Sequence, residues 1–277
     1  MRNDDPEGIV RSPTWKSRSD YDLVISYYNE DLETIQNTIE QVKKRLPSQT
    51  KSRTIVYAKG PNSASRTAMS EFLQKIDADE IVALKNVGRE GETYLQHIVR
   101  HYSSTDSPLA THTIFLQPHI PWPGTAFPRL ESMTANTGFM SLSTYVNASC
   151  PADGSEIDVL DQVHPRIAQI YSSFQQDLCP STGFTITWFG QFVASRQRIQ
   201  RNPLKAYQNL LDYFDVPVGE GNEKEWIWDE GWWNNSPDNP TLGHALERSW
   251  PAVFGCSDLK LALECKDESG SHCMCMD

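Results

Sequence analysis

Four titratable side chains recur at helical spacing in the first half of the chain: Glu90, Tyr94, His97 and His101. Residues three and four apart share one side of a helix, so these four line one edge of a helix that starts after Gly88-Arg89. A carboxylate, a phenol and two imidazoles along one edge can move protons, and Arg89 beside them can meet an anion. The other two faces of the helix are structural. Leu95, Ile98, Val99 and Tyr102 form its apolar stripe, and Glu92, Gln96, Arg100 and Ser103 its solvent face. A first-turn acid favoured by the helix dipole, followed by half-exposed histidines, would produce the same stripe without chemistry. Both readings stand at the level of sequence.

The elements that must position this stripe follow from the hydrophobic pattern. A buried-type strand covers 22–28, and Asn29 is a good N-cap for a helix whose first turn holds Glu30 and Asp31 and whose inward stripe is Leu32, Ile35, Ile39, Val42 and Leu46. A strand over 53–58, a turn at Lys59-Gly-Pro-Asn62, a helix over 64–76 and a strand over 80–84 lead into the histidine-bearing helix; a strand over 112–117 follows it. This alternation predicts an α/β fold, a mainly parallel sheet with helices on both faces. In such sheets ligands bind outside the carboxyl ends of the strands. That rule selects Asn29, Glu30 and Asp31, then Lys59, then Asn86 through Glu90, then Gln117 and His119.

The second half is less periodic. Residues 120–157 hold many Pro, Gly, Ser and Thr and read as a long loop; a helix starts at Pro165, a strand covers 184–194, Pro203 begins another helix, and a last helix over 241–254 carries Glu247. Arg196, Arg198, Arg201 and Lys205 form the densest basic cluster, either a phosphate-docking face or a solvated helix face. Glu225 to Trp233 combines four tryptophans with three acids, either a grip for a cation or an apolar lid.

A net charge of −11 over 277 residues excludes a generally polyanion-binding surface, and no apolar run is long enough to span a membrane. The polar, acidic opening is not a secretory leader, so the six cysteines are expected to be reduced thiols of a cytoplasmic protein. Cys273-Met-Cys275 is a weak soft-metal pair or part of a frayed tail. The expected organisation is a mobile segment over 1–20, one catalytic domain over 21–256 and a mobile tail over 257–277. No GxSxG, P-loop, GxGxxG or CxxC pair is present. Asp20-Tyr-Asp22 and Asp77-Ala-Asp79 precede strands, at the wrong edge of the sheet for a site.

Leu23-Val-Ile-Ser-Tyr-Tyr-Asn-Glu-Asp31 resembles the first strand and turn of GT-A nucleotide-sugar glycosyltransferases. Tyr57-Ala-Lys-Gly60, Asn86-Val-Gly-Arg-Glu90 with Tyr94-Leu-Gln-His97, Phe115-Leu-Gln117, Gln191 to Arg196, Leu246 to Trp250 and Phe254-Gly255 together resemble a large fungal family with a GT-A-like core. Its members with an assigned activity are arginine-containing cyclodipeptide synthases. The resemblance implies a GT-A-like (Rossmann-like) sheet with an irregular C-terminal elaboration. It implies condensation of arginine with a second amino acid, each delivered on a charged tRNA, into a diketopiperazine. Glu90, His97, Arg89 and Tyr94 would then serve catalysis. Asn29, Glu30, Asp31, Lys59, Asn86, Gln117, His119 and Glu247 would hold substrate, the acids among them matching a guanidinium. Arg196, Arg198, Arg201 and Lys205 would contact tRNA, and no metal or cofactor is called for. The chain departs from GT-A enzymes where Asp-x-Asp would follow the fourth strand: it has Gln117-Pro-His-Ile-Pro-Trp122. The alternatives are a GT-A-like glycosyltransferase with a nonstandard donor site and an inactive GT-A-like scaffold.

Overall fold

Apolar residues on both faces of a strand require cover on both sides. Tyr21–Tyr27 (β2) meets that requirement in the computed structural model, which describes residues 8–150, 157–158, 166–217 and 235–277. Strand β2 pairs in parallel with Ser52–Ala58 (β3) on one side and His112–Leu116 (β5) on the other, and β3 pairs in parallel with Glu80–Ala83 (β4). Leu23, Ile25, Val56 and Ile114 face Leu32–Lys43 (α1), Arg66–Ile76 (α2) and Pro123–Ser132 (α4). Their neighbours Val24, Ile55 and Phe115 face Arg89–His101 (α3) and the helices of the second half. Successive residues thus enter opposite cores, as the period of a strand dictates.

The sheet extends beyond this parallel centre. Ile9–Arg11 (β1) pairs antiparallel with β4, and on the far side Phe192–Ser195 (β10), Thr137–Ser141 (β6) and Cys275–Met276 (β11) continue it in antiparallel register, giving the order β1-β4-β3-β2-β5-β10-β6-β11. Tyr145–Ser149 (β7), Ile157–Asp158 (β8) and Phe184–Thr187 (β9) form a second, three-stranded antiparallel sheet. Ile167–Gln175 (α5), Arg196–Arg201 (α6), Leu204–Leu211 (α7) and Thr241–Val253 (α8) complete the described helices.

Several expectations are corrected. Asp31, not Asn29, caps α1, accepting from Thr34 N at 3.1 Å. Residues 120–157 contain α4, β6 and β7 rather than one loop. The strand expected over 184–194 is two strands in different sheets, because Phe189 and Gly190 have φ of +63° and +55° and turn the chain between them. Asn202-Pro203 separates α6 from α7, so Arg198, Arg201 and Lys205 do not share one continuous helix. Part of the segment expected to be mobile before residue 21 is the edge strand β1, and the C-terminal tail supplies β11. The cysteines are not free: Cys150 is joined to Cys179, Cys256 to Cys275 and Cys265 to Cys273. Glu225 to Trp233 lies outside the described residues. Among the described residues no helix is long and apolar enough to cross a membrane.

Candidate functional site

The chain leaves β2 towards β3 and β4, then returns to place β5 on the other side of β2. The carboxyl ends of β2 and β5 therefore diverge, and the fork between them is where an open α/β sheet leaves room for a ligand. A pocket of about 270 Å³ occupies that fork, lined by Ser26, Tyr27, Tyr28, Glu30, Lys59, Asn86, Arg89, Glu90, Gln117, Pro118 and His119. Seven of these, Glu30, Lys59, Asn86, Arg89, Glu90, Gln117 and His119, are residues the strand-end rule selects.

The start of α3 presents Arg89 and Glu90 to this pocket through an unusual backbone. Gly88 and Arg89 both have positive φ, +70° and +53°. At Gly88 a Cβ would lie 2.6 Å from both Glu92 Cβ and a Phe214 ring carbon, so glycine is required there. A non-glycine residue held left-handed, as Arg89 is, stores strain of order 1 kcal/mol or more. Lys59 fastens the turn: its Nζ donates to Val87 O at 2.6 Å and Arg89 O at 2.5 Å and pairs with Glu92 at 3.0 Å. Lys59 is thus committed to the protein, and its expected part in holding substrate is corrected to one of support. Glu92, expected on a solvent face, is buried by the same contact.

Glu90 faces a second carboxyl from α8. Arg89 Nε lies 3.5 Å from Glu90 Oε2 and Arg89 Nη2 lies 3.6 Å from Glu247 Oε2, so one guanidinium spans both acids. Its remaining reach is fixed by Asn239 Oδ1 at 3.0 Å and by the His244 ring at 3.2 Å. Glu247 Oε1 accepts from Phe189 N at 3.0 Å. Glu90 Oε1 is buried and has no hydrogen-bond partner among the described residues. A Cβ placed on Gly190 would lie 3.4 Å from it, so the turn between β9 and β10 packs directly on the acid pair. Burial first, and the neighbouring Glu90 second, push the Glu247 carboxyl above the usual range; Arg89, Arg248 and the Phe189 N–H oppose this. Two facing acids, one of which keeps its proton to higher pH, are an arrangement suited to accepting and returning a proton.

Other expected site residues lie elsewhere. Asn29 and Asp31 are exposed outside the pocket. Glu30 lines it, but its carboxylate accepts from the Tyr28 and Asn29 amides at 2.9 and 3.1 Å and shapes the turn. Tyr94 and His97 are fully buried and line neither the strand-end pocket nor the cavity beside Arg196, which corrects their placement at the reacting edge. Tyr94 packs between Phe115 and Trp250, at centroid distances of 4.9 and 5.9 Å. His97 Nδ1 lies 3.1 Å from Tyr57 Oη, and His97 is held well below the ordinary histidine range by burial, His101, Arg53 and Arg100. The helical stripe therefore runs from the pocket into the core, and only its first residue is available for chemistry.

The basic cluster is also divided. Arg198 is buried: Nη1 donates to Phe254 O at 3.2 Å and Gly255 O at 3.1 Å, Nη2 donates to Met276 O, and Nε lies 3.6 Å from Asp277. It bolts the C-terminal strand to the sheet and presents no face to a tRNA, which corrects its expected role. Arg196 and Arg201 border a separate cavity of about 620 Å³ with Gln197, Gln200, Asn136 and Asp277, and Lys205 is exposed.

Sequence reading missed Phe189, Gly190, Asn239 and His244. Gly190 inside an apolar, β-rich run was the available signal, since such a glycine marks a bend or a close approach. Nothing in sequence brings Asn239 or His244 to Arg89.

A divalent ion of the kind used with nucleotide sugars needs several oxygen ligands. The end of β5 offers Gln117 and His119 instead, and the residues do not fit such an ion. Among the described residues the one cluster of three side chains of metal-ligating type is Cys265, His272 and Cys273, whose two sulfurs are joined to each other.

Fold and site define an α/β protein with a polar pocket at the switch point of an open, centrally parallel sheet. Residues 57–276 match the family described as protein of unknown function (DUF3431), and the chain belongs to that family. No curated protein matches it in sequence. Among solved structures it is similar to glucosyl-3-phosphoglycerate synthase from Mycobacterium tuberculosis in complex with uridine diphosphate, with 17% identity over 74% of this chain and 72% of that one and a TM-score of 0.37. It is also similar to a mannosyltransferase from Pyrobaculum calidifontis in complex with GDP-Man and Mn2+, with 12% identity over 76% of this chain and 55% of that one and a TM-score of 0.32. Likenesses this distant carry no statement about activity.

Proposed function

We propose that the chain is a group-transferring enzyme in which Glu90 is the base and a nucleotide-linked sugar is the donor. The supporting observation is the state of Glu90: a carboxylate in the pocket wall, with one oxygen buried and unbonded and Glu247 packed behind it. A buried acid oxygen without a hydrogen bond is a candidate for chemistry where its residue lines a pocket, as Glu90 does; Glu92 Oε2, also without a hydrogen bond, lies against Lys59 Nζ and outside the pocket lining. In the proposed step an acceptor hydroxyl gives its proton to Glu90 as its oxygen bonds to the anomeric carbon. The bond from that carbon to the phosphate oxygen breaks, and the departing diphosphate keeps the electron pair, its charge met by Arg89. About 270 Å³ holds one sugar ring, with the nucleotide lying outside it along the strand ends. No step is routed through a metal ion.

Gln117 and His119, in place of metal-binding acids, favour a second reading: diketopiperazine formation from arginyl-tRNA and another aminoacyl-tRNA in the cytoplasm. An aminoacyl ester is already activated and needs no diphosphate-holding ion. In that reading Glu90 deprotonates the α-amine, and Arg196, Arg201 and Lys205 are the basic residues left to meet tRNA.

Thermal-shift titration with a panel of nucleotide sugars, followed by assay of nucleoside diphosphate release, tests the first reading. One donor is expected to raise the melting temperature of both wild type and Glu90→Gln, with release falling roughly 10²–10⁴-fold in the variant. A folded protein that binds no donor, together with cyclo-arginine dipeptides in extracts of expressing cells, would overturn it in favour of the second.

A further inference from the structure

All six cysteines of the chain are paired. The pairs are not local accidents of one loop. Cys256–Cys275 ties the end of α8 to the C-terminal strand, and Cys265–Cys273 closes the segment between them. Cys150–Cys179 follows directly after β7 and links it across 29 residues to the approach to β9. Complete pairing of this kind persists in the oxidising lumen of the secretory route and is lost in reducing cytoplasm.

A second observation points to the same compartment. Asn147-Ala148-Ser149 is an Asn-x-Ser acceptor sequence, on β7 immediately before Cys150. The Asn147 side chain is exposed while its strand neighbours Val146 and Ala148 are buried, so it points outward from the smaller sheet. Its amide makes no side-chain hydrogen bond among the described residues, unlike the amides of Asn62 and Asn202. Beside it is Gly183, where a Cβ would lie 3.0 Å from Asn147 Oδ1; the missing side chain keeps that flank of the amide open. Asn147 belongs to neither the strand-end pocket nor the cavity beside Arg196.

We infer that Asn147 is an N-glycosylation site and that the protein matures in an oxidising secretory compartment, replacing the cytoplasmic location expected from sequence. The donor class is a lipid-linked oligosaccharide diphosphate. The Asn147 amide nitrogen bonds to the anomeric carbon, the bond from that carbon to the phosphate oxygen breaks, and the lipid diphosphate departs as the amide proton is released. A glycan at Asn147 stands on solvent, away from the strand-end pocket, and leaves that pocket open. This inference is independent of the sugar-transfer reaction proposed first, because none of its readouts is activity, and it counts against the tRNA-dependent reading, whose substrates are cytoplasmic.

The test uses the native full-length protein isolated from its own cells with an affinity tag. Peptide-N-glycosidase is expected to increase its gel mobility and to leave aspartate at position 147, read by peptide mass. Alkylation under denaturing conditions is expected to label no cysteine before reduction and six after it. Asn147→Gln and Ser149→Ala should each abolish the mobility shift, and Ser149→Thr, which preserves the acceptor sequence, should retain it. A second acceptor sequence, Asn234-Asn-Ser236, starts outside the described residues. An unmodified asparagine at 147 by peptide mass, with a mobility shift of wild-type size in Asn147→Gln, would overturn the site. An unglycosylated native protein whose six cysteines alkylate without reduction would overturn both site and compartment.

Discussion

The two ends of the parallel sheet each hold a buried cluster of charge, and they are built differently. At the amino end, Arg53 Nε and Nη2 donate to Asp22 at 2.8 and 2.6 Å, and the remaining donors go to Ser107 and to backbone carbonyls of Ser17 and Pro108 at 2.8–3.2 Å. Both side chains are fully buried. At the carboxyl end, Arg89 reaches its two acids at only 3.5 and 3.6 Å, and one oxygen of Glu90 has no hydrogen bond among the described residues. A saturated ion pair holds a fold; an unsaturated one stands ready for a ligand to complete it. α3 joins the two environments, with Glu90 at the open end and His97 and His101 at the sealed end.

Breaking the sealed end should have the largest effect on the fold. Asp22→Ala leaves Arg53 as an uncompensated buried charge, and a loss of about 3–5 kcal/mol is expected in denaturant unfolding. Replacing both partners with apolar residues should recover most of it; if the single variant unfolds like wild type, the contrast between the two ends fails. Glu90→Gln should do the opposite, costing turnover by roughly 10²–10⁴-fold while leaving the unfolding midpoint unchanged or raised. Equal stability losses at Asp22 and Glu90 would mean that both ends are structural.

The histidines sharpen the comparison through pH. Burial, then Arg100, lowers His101 to about 4, against its hydrogen bond to Ser107 O. The unfolded chain binds this proton near pH 6.5 and the folded one does not, so stability is expected to fall as pH drops from about 6.5 to about 4. The contribution of His101 is on the order of 3 kcal/mol, and His97 acts in the same direction. His101→Gln should flatten that part of the stability curve measured by urea titration at each pH. Glu247 acts with the opposite sign. Its raised folded value means that its ionisation disfavours the fold as pH rises above the ordinary glutamate range. Glu247→Gln should therefore gain in melting temperature over wild type more at pH 8 than at pH 5, by less than the His101 effect. The smallest effect is expected at Arg201, exposed on the rim of the second cavity: Arg201→Ala should change stability by less than about 0.5 kcal/mol.

The central elements were readable because their hydrophobic periods agree with their final burial. Val24 and Leu23 face different cores, yet both are apolar, which is how a strand covered on two sides reads. The second half was less readable because its boundaries depend on positive-φ positions such as Phe189 and Gly190, where a lone glycine in an apolar run is the sole local signal of the bend. The site followed the same division. Strand-end placement located Arg89, Glu90, Gln117 and His119, but the polar character of His97, Tyr94 and Arg198 reads alike in a pocket and in a satisfied core.

By itself, then, the sequence determined the alternating α/β order, the edge at which a ligand pocket forms, and Glu90 as an acid at that edge, since local periodicity and the strand-end rule act over short stretches of chain. The tertiary structure alone decided that Glu247, 157 positions away, stands behind Glu90, that the stripe below Glu90 is sealed, and that the six cysteines meet in three pairs. Those outcomes depend on which distant segments pack together, and a side chain's chemistry does not reveal its neighbours until the chain has closed around it.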